Sequence, residues 1–234
     1  VAEDIKIVYT PFHGTGFKPV CEVLKRAGFL NVYPVTAQTV KDPNFSTVKS
    51  PNPEEKEGFA MAIALAKEVD ADIIIGTDPD ADRIGVLAKN HDGEYQVLTG
   101  NQTGILLTEY ILSEYQKKGL LKPQDYIVKT IVTTDMGKKL ADHYNVGMYE
   151  VFTGFKFIAE IIKNNEDTGY EGKYLFGFEE SYGYLPGTYA RDKDAVAAAL
   201  LVCELAAVCK LKGKNLSQEM EDLYEKYGYF AERT

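Results

Sequence analysis

Short β-rich runs and segments with helical apolar spacing take turns along this chain. Ile5 to Tyr9 is the first run. After Thr10-Pro11-Phe12-His13-Gly14-Thr15-Gly16, the segment Lys18 to Ala27 places Val20, Val23, Leu24 and Ala27 on one helical face, and Gly28 closes it. Val32 to Val35 reads as the next strand. Lys41 to Pro53 carries three prolines and no periodicity, as a functional or mobile loop does. Pro53-Glu54-Glu55 opens a predicted helix with Phe59, Ile63 and Ala66 on one face. A strand over Asp72 to Ile75 follows, then a hairpin of Ile84 to Ala88 and Tyr95 to Leu98 around Asn90-His91-Asp92-Gly93.

The rhythm restarts after Gly100. Helices are expected over Gln102 to Lys118, Met136 to Tyr144 and Phe155 to Asn164, alternating with strands over Tyr126 to Thr133, Val146 to Phe152 and Tyr174 to Phe178. An alanine-rich helix, Asp194 to Leu211, and an amphipathic one with Leu216, Met220, Leu223 and Tyr227 complete the chain. Strands alternating with helices imply an α/β fold: two consecutive three-layer α/β domains with mixed, mostly parallel sheets. The expected division is residues 1–99 and 100–234, the second ending in a linker helix. The halves share a rhythm without a residue-level repeat.

Composition narrows the class. The 234 residues are 45% hydrophobic and 26% charged, as in soluble globular proteins. The net charge of −9, with no basic stripe, argues against a nucleic-acid surface. The longest apolar stretch, Ala195 to Val208, is interrupted by Glu204 and too short for a bilayer. Cys21, Cys203 and Cys209 lack paired spacing and lie in helical segments, so reduced, buried thiols and a cytoplasmic location are expected. No signal peptide is expected from the opening residues, and a chain that opens at Val1 close to a strand reads as an excised piece.

The chemistry concentrates in Gly76-Thr77-Asp78-Pro79-Asp80-Ala81-Asp82-Arg83, after the apolar Ile73-Ile74-Ile75. Three carboxylates within five residues repel one another. Either a hard divalent cation such as Mg2+ offsets them, or the segment is a solvated acidic turn. Pro79 keeps it out of a helix. An EF-hand does not fit, because Arg83 and Lys89 stand where that loop needs Gly and Glu. His13-Gly14-Thr15-Gly16 is either a phosphate contact at a helix start or a tight turn; Pro19 spoils a dinucleotide fingerprint. Thr153-Gly154-Phe155-Lys156 also opens a helix. Lys156 there is either solvated or compensated by an anion. In an extended Gly177 to Gly183 loop, Glu179 and Ser181 face one way and Glu180 the other. That pair suits vicinal sugar hydroxyls, or the loop is an ordinary acidic turn. Asp192 or Asp194 can cap the following helix.

Together these segments resemble the α-D-phosphohexomutases, the phosphoglucomutase and phosphomannomutase family. That family's metal loop reads D-G-D-A-D-R where this chain has Asp78-Pro79-Asp80-Ala81-Asp82-Arg83, and its sugar loop has a G-E-x-S core, filled here by Phe178-Glu179-Glu180-Ser181. Thr10 to Gly16, Pro51-Asn52-Pro53-Glu54, Gly100-Asn101 and Thr153-Gly154-Phe155-Lys156 follow in the family's order. Neither the phosphoserine loop T-A-S-H-N-P of the first domain nor the R-x-S-G-T clamp of the fourth occurs. The chain therefore resembles a second and third mutase domain without its neighbours.

The resemblance implies transfer of a phosphoryl group between a phosphoserine and a hexose phosphate through a bisphosphate. It implies Mg2+ on Asp78, Asp80 and Asp82, with Arg83 and Lys156 catalytic. Glu179, Ser181, Thr153 and Arg191 would contact substrate. The wording of the sugar loop favours phosphoglucomutase over phosphomannomutase or a phosphopentomutase. The piece alone is expected to be inactive. Two other readings compete: a HAD-type phosphatase with Asp78 as nucleophile, and a non-catalytic sugar-phosphate or nucleotide module using the Gly14–Gly16 turn.

Overall fold

The computed structural model describes residues 2–232. It contains two mixed sheets built on one plan. The first sheet has the order β2-β1-β3-β4-β5, with β1 (Lys6–Thr10) parallel to β2 (Asn31–Pro34) and β3 (Ile73–Thr77). The strands β4 (Ile84–Lys89) and β5 (Tyr95–Leu98) run antiparallel. The second has the order β7-β6-β8-β9: β6 (Tyr126–Thr130) is parallel to β7 (Gly147–Val151) and β8 (Tyr174–Glu179), and β9 (Gly183–Leu185) is antiparallel to β8.

The apolar alternation explains the layering. In β1 and β3, Ile7, Tyr9, Ile73 and Ile75 enter one core while Val8 and Ile74 enter another, beneath α2 (Ala60–Val69). Such two-sided burial is why these strands read as nearly continuous apolar runs. The larger core is shared between the sheets. It joins Ile7 and Ile75 to Ile127 and Phe176, filled from between by α1 (Phe17–Arg26), α3 (Gly100–Lys117), α4 (Met136–Tyr144), α6 (Ala195–Leu211) and α7 (Leu216–Tyr227). The far face of the second sheet packs Tyr126, Val128 and Leu185 on Phe155, Ile158 and Ile162 of α5 (Phe155–Asp167). Helices thus cover both sides of both sheets.

Caps set several boundaries. Thr99 accepts from the Gln102 N–H, and the Gln102 side chain returns a bond to Thr99, so α3 starts at Gly100 rather than Gln102. Asp194 accepts from Val196 and Ala197 N–H and caps α6. The helix expected from Pro53 begins later, as a 3-10 turn over Lys56–Phe59 that runs into α2. β6 ends at Thr130, not Thr133, because the Lys129 ammonium gathers the carbonyls of Thr130 and Thr133 into a turn. Strand β9 was not anticipated. Of the thiols, Cys203 and Cys209 are buried, but Cys21 is only partly so. Among the described residues, no helix is long and apolar enough to cross a membrane.

Candidate active site

The acidic loop is the turn of the β3–β4 hairpin, wound around the carboxylate of Asp78. Asp78 Oδ1 accepts from the N–H groups of Asp82 (3.1 Å) and Arg83 (3.0 Å), and Oδ2 accepts from Arg83 Nε (2.9 Å). Ala81 holds a left-handed φ of 60°, and its N–H donates to the Asp78 carbonyl. Asp78 is 2% exposed, whereas Asp80 is exposed and Asp82 half-buried. Burial, with Asp82 and Asp80 alongside, pushes its carboxyl up to about 6 despite the bonds from Arg83.

One oxygen each from Asp78, Asp80 and Asp82 lies within 4.8 Å of the others. Mg2+ holds its ligands at 2.0–2.1 Å, so opposite ligands stand about 4.2 Å apart. At most one pair of the three can be opposite and the others stand about 2.9 Å apart, so the carboxylates must draw together to share one ion; their oxygen-only donor set suits a hard cation. The protein's own cations offset part of the charge. Arg83 pairs with Asp78, and Lys193 Nζ lies 2.9 Å from Asp82 Oδ2.

The glycine turn after β1 buttresses this loop. The N–H groups of His13, Gly14 and Thr15 donate to the carbonyls of Gln38, Pro11 and Pro79. Thr15 Oγ1 also reaches the Pro79 carbonyl (3.1 Å). A Cβ on Gly14 would stand 2.4 Å from Pro79 Cα, so only glycine permits this approach. Those three amides are engaged inside the protein and hold the turn against the aspartate loop.

The segment from Thr39 to Glu55 is a strap across the same loop. His13 latches it through Nδ1 to the Val40 carbonyl (2.8 Å) and Nε2 to Thr47 Oγ1 (2.7 Å). Its far end brings Glu54 Oε1 (3.2 Å) and Asn52 Oδ1 (3.4 Å) to Arg83 Nη1. The guanidinium is therefore oriented from three sides.

The predicted sugar loop occupies the equivalent place in the second sheet, as the turn of the β8–β9 hairpin. It is not extended beyond Glu179: residues 180–182 form a tight turn, with Tyr182 at φ 67°. Glu179 is buried at the strand end, and its Oε1 accepts from the Gly154 N–H (2.9 Å) at the start of α5. Burial raises its carboxyl, opposed by that bond and by Lys193. Glu180 turns elsewhere, its Oε2 accepting from Thr130 Oγ1 and Thr133 Oγ1. Ser181 is half-buried in the turn.

The two hairpin turns meet. Arg83 and Gly183 form an isolated antiparallel bridge, and Ile84 N–H donates to the Tyr182 carbonyl (3.1 Å). Lys193 crosses the seam: a Cβ on Gly183 would lie 2.2 Å from Lys193 Cδ and 3.5 Å from Glu179 Oε2. Asp78, Asp80, Asp82, Arg83, Glu179 and Ser181 are thus assembled at one junction. Lys156 and Thr153 are exposed beside Gly154, where the Lys156 ammonium lies over the Phe157 ring. Arg191 is directed elsewhere, to Glu166 near the other end of α5 and to the Thr188 carbonyl.

Sequence reading gave Glu54 and Asn52 no site role, and it noted Lys193 only as a cation beside Arg191 at a helix start. The Pro51-Asn52-Pro53-Glu54 motif was visible, but nothing local signalled that it would reach Arg83.

The description "Phosphoglucomutase/phosphomannomutase, alpha/beta/alpha domain II" matches residues 2–93, and domain III of the same family matches residues 99–227. The phosphoglucomutase of Staphylococcus haemolyticus is 39% identical over 230 residues, covering 98% of this chain but 41% of that protein. The phosphoglucomutase of Staphylococcus aureus (strain MRSA252) is 41% identical over 225 residues, 96% of this chain and 40% of that protein. The chain thus spans about two fifths of the length of these relatives. A putative phosphomannomutase from Thermus thermophilus superposes with a TM-score of 0.74 at 22% identity, over 97% of this chain and 47% of that one, which speaks to the fold. In sequence and in the layout of both sheets, the chain belongs to the phosphoglucomutase/phosphomannomutase family.

Proposed function

We propose that this chain forms the second and third domains of a phosphoglucomutase that interconverts glucose 1-phosphate and glucose 6-phosphate through a serine-borne phosphoryl group and a bisphosphorylated sugar. The observation that carries this reading is the junction of the two hairpin turns, where an oxygen-only metal set meets a carboxylate and a hydroxyl suited to sugar. Asp78, Asp80 and Asp82 would hold Mg2+, which when bound neutralises charge on phosphoryl oxygens. Arg83, oriented by Asp78, Glu54 and Asn52, presents its guanidinium to the transferring group. Lys156, exposed in the first turn of α5, is the candidate for moving a proton at the reacting hydroxyl. Glu179 and Ser181 bind ring hydroxyls, and Thr153 contributes from the same end of α5. Arg191 would have to leave Glu166 to join them. Lys193 balances Asp82 and Glu179 across the seam.

The partners are a hexose phosphate and the first and fourth domains of a four-domain protein, in a cytoplasmic setting that suits free thiols. Without the serine-bearing domain the chain is expected to turn over nothing. Phosphomannomutase or phosphopentomutase activity is the nearest alternative, since Glu179 and Ser181 do not distinguish these sugars.

The test is conversion of glucose 1-phosphate by the full-length protein, by the isolated chain, and by full-length Asp80→Asn. Full-length turnover that collapses in Asp80→Asn is expected. Robust turnover by the isolated chain, or wild-type rates in the variant, would overturn the assignment. Trapping a phosphoaspartate at Asp78 would favour a HAD-type phosphatase instead.

A further inference from the structure

The two adjacent glutamates of the sugar loop do different work, and the second is tied to a buried ammonium. Lys129 has no exposed side-chain surface, yet its ammonium sits near the end of β6, paired with a carboxylate. Its Nζ lies 2.7 Å from Glu150 Oε2 on the neighbouring strand β7, and 3.3 Å from Asp135 Oδ1. It also donates to the carbonyls of Thr130 (3.2 Å) and Thr133 (3.0 Å). An ammonium with no exposed surface of its own is held in place by these partners, because it has no water to replace them.

What Lys129 fixes is the turn between β6 and α4. In that turn the hydroxyls of Thr130 and Thr133 stand 2.7 Å apart. Both reach one oxygen of Glu180, at 3.2 and 3.0 Å. Hydrogen bonds to a carboxylate are among the stronger ones available to a hydroxyl. The backbone of Glu180 is also pressed on α3: a Cβ on Gly100 would lie 1.8 Å from the Glu180 carbonyl oxygen. The turn 180–182 is therefore gripped by both its side chain and its main chain.

We propose that Glu180 is a positioning residue, clamped by Thr130 and Thr133 over the buried Lys129, which sets the turn so that Glu179 and Ser181 address a single sugar ring. The proposal rests on the hexose-phosphate reading above. Glu180 itself does not touch the sugar. It reverses direction between two residues that do, and its clamp keeps their spacing constant while substrate enters and leaves. Precise placement of such groups sets how well the ring is held, and a shift of about 1 Å is enough to lose it.

The test uses the full-length protein with Thr130→Val/Thr133→Val, Glu180→Ala, Glu180→Gln and the Val/Val/Ala triple variant. Two readouts apply: amide hydrogen exchange over residues 180–183, and KM and kcat for glucose 1-phosphate and mannose 1-phosphate. The double variant and Glu180→Ala should each speed exchange there and raise KM for glucose 1-phosphate about tenfold, with kcat within about twofold. KM for mannose 1-phosphate should rise in the same proportion, because Glu179 and Ser181 do not separate the two sugars. The triple variant should be no worse than either parent, because the residues act as one unit. Glu180→Gln keeps an acceptor oxygen and should recover most of the protection. Unchanged exchange, an unchanged KM, or additive losses in the triple variant would overturn the clamp. If the wild-type protein neither binds nor converts a hexose phosphate, the functional reading fails, and the exchange arm alone then decides whether Glu180 is clamped.

Discussion

Replacing Asp78 by Asn should stabilise the metal-free protein while abolishing its response to magnesium. Burial lifts the Asp78 carboxyl from 3.8 to about 6, so the folded state holds this proton more tightly than the unfolded chain does. The sign follows. The favourable contribution is complete below pH 3.8 and is lost as pH rises through about 6. Above that range the ionised group costs the fold about 3 kcal/mol, at 1.36 kcal/mol per pKa unit. Asparagine removes the charge and keeps an oxygen for the N–H groups of Asp82 and Arg83, but turns an amide toward Arg83 Nε. That mismatch costs about 1 kcal/mol, leaving a net gain of about 2 kcal/mol. For a chain of this size the gain is about 4–8 °C in Tm. The assay is thermal or urea unfolding from pH 4 to pH 8, in EDTA and in magnesium. In EDTA the variant should overtake wild type as pH rises. In magnesium at about 100 times Kd, wild type should recover about 2.7 kcal/mol and the variant almost nothing. A variant less stable than wild type in EDTA at pH 8, or a gap that ignores pH, would refute the reasoning.

Gly14→Ala should cost about 1–3 kcal/mol of stability, because its Cβ meets Pro79 backbone at 2.4 Å, and should weaken magnesium binding by calorimetry. Lys193→Met should tighten magnesium binding by the chain roughly threefold or more by removing a competing cation 2.9 Å from Asp82, while full-length turnover falls; weaker binding would contradict the competition. Glu54→Gln should lower full-length kcat more than it raises KM, since it loosens the Arg83 guanidinium without touching the sugar turn; an effect on KM alone would place Glu54 elsewhere.

The fold was legible where burial imposes a period. Ile73-Ile74-Ile75 sends alternate residues into different cores, and such a run has few alternatives to a central strand. The misreadings fall where distant side chains set the boundary. Pro53-Glu54-Glu55 has the composition of a helix start, but Glu54 and its neighbour Asn52 are bound to Arg83 instead. Ile131 and Val132 continue a β-branched run, yet Lys129 curls the chain there. β9 is three residues between turns, too short to show a period. The Asp78–Asp82 triad was legible because it is contiguous and electrostatically improbable without compensation. The Lys193–Asp82 pair was not, because only the bridge between hairpins brings Lys193 to the metal loop.

The repeated sheet plan gives a physical reason for the site's location. In open α/β sheets, ligands gather at the carboxyl ends of parallel strands, where helices and loops diverge. Here β3 and β8 each end at such a place and return as hairpins rather than crossing to a helix. A hairpin turn is short, so Asp78 to Arg83 and Glu179 to Gly183 are held by strands on both sides. It also leaves backbone groups free to pair with another turn, which Arg83 and Gly183 do. The aspartate turn and the Glu179–Gly183 turn are therefore coupled through main-chain pairing, which does not depend on the aspartate side chains. Loss of one ligand should leave the geometry of the other loop intact. Asp80→Asn should accordingly abolish magnesium binding while amide exchange at residues 180–183 stays as in wild type, and a loosened sugar turn in that variant would mean that the ion, not the bridge, holds the two halves in register.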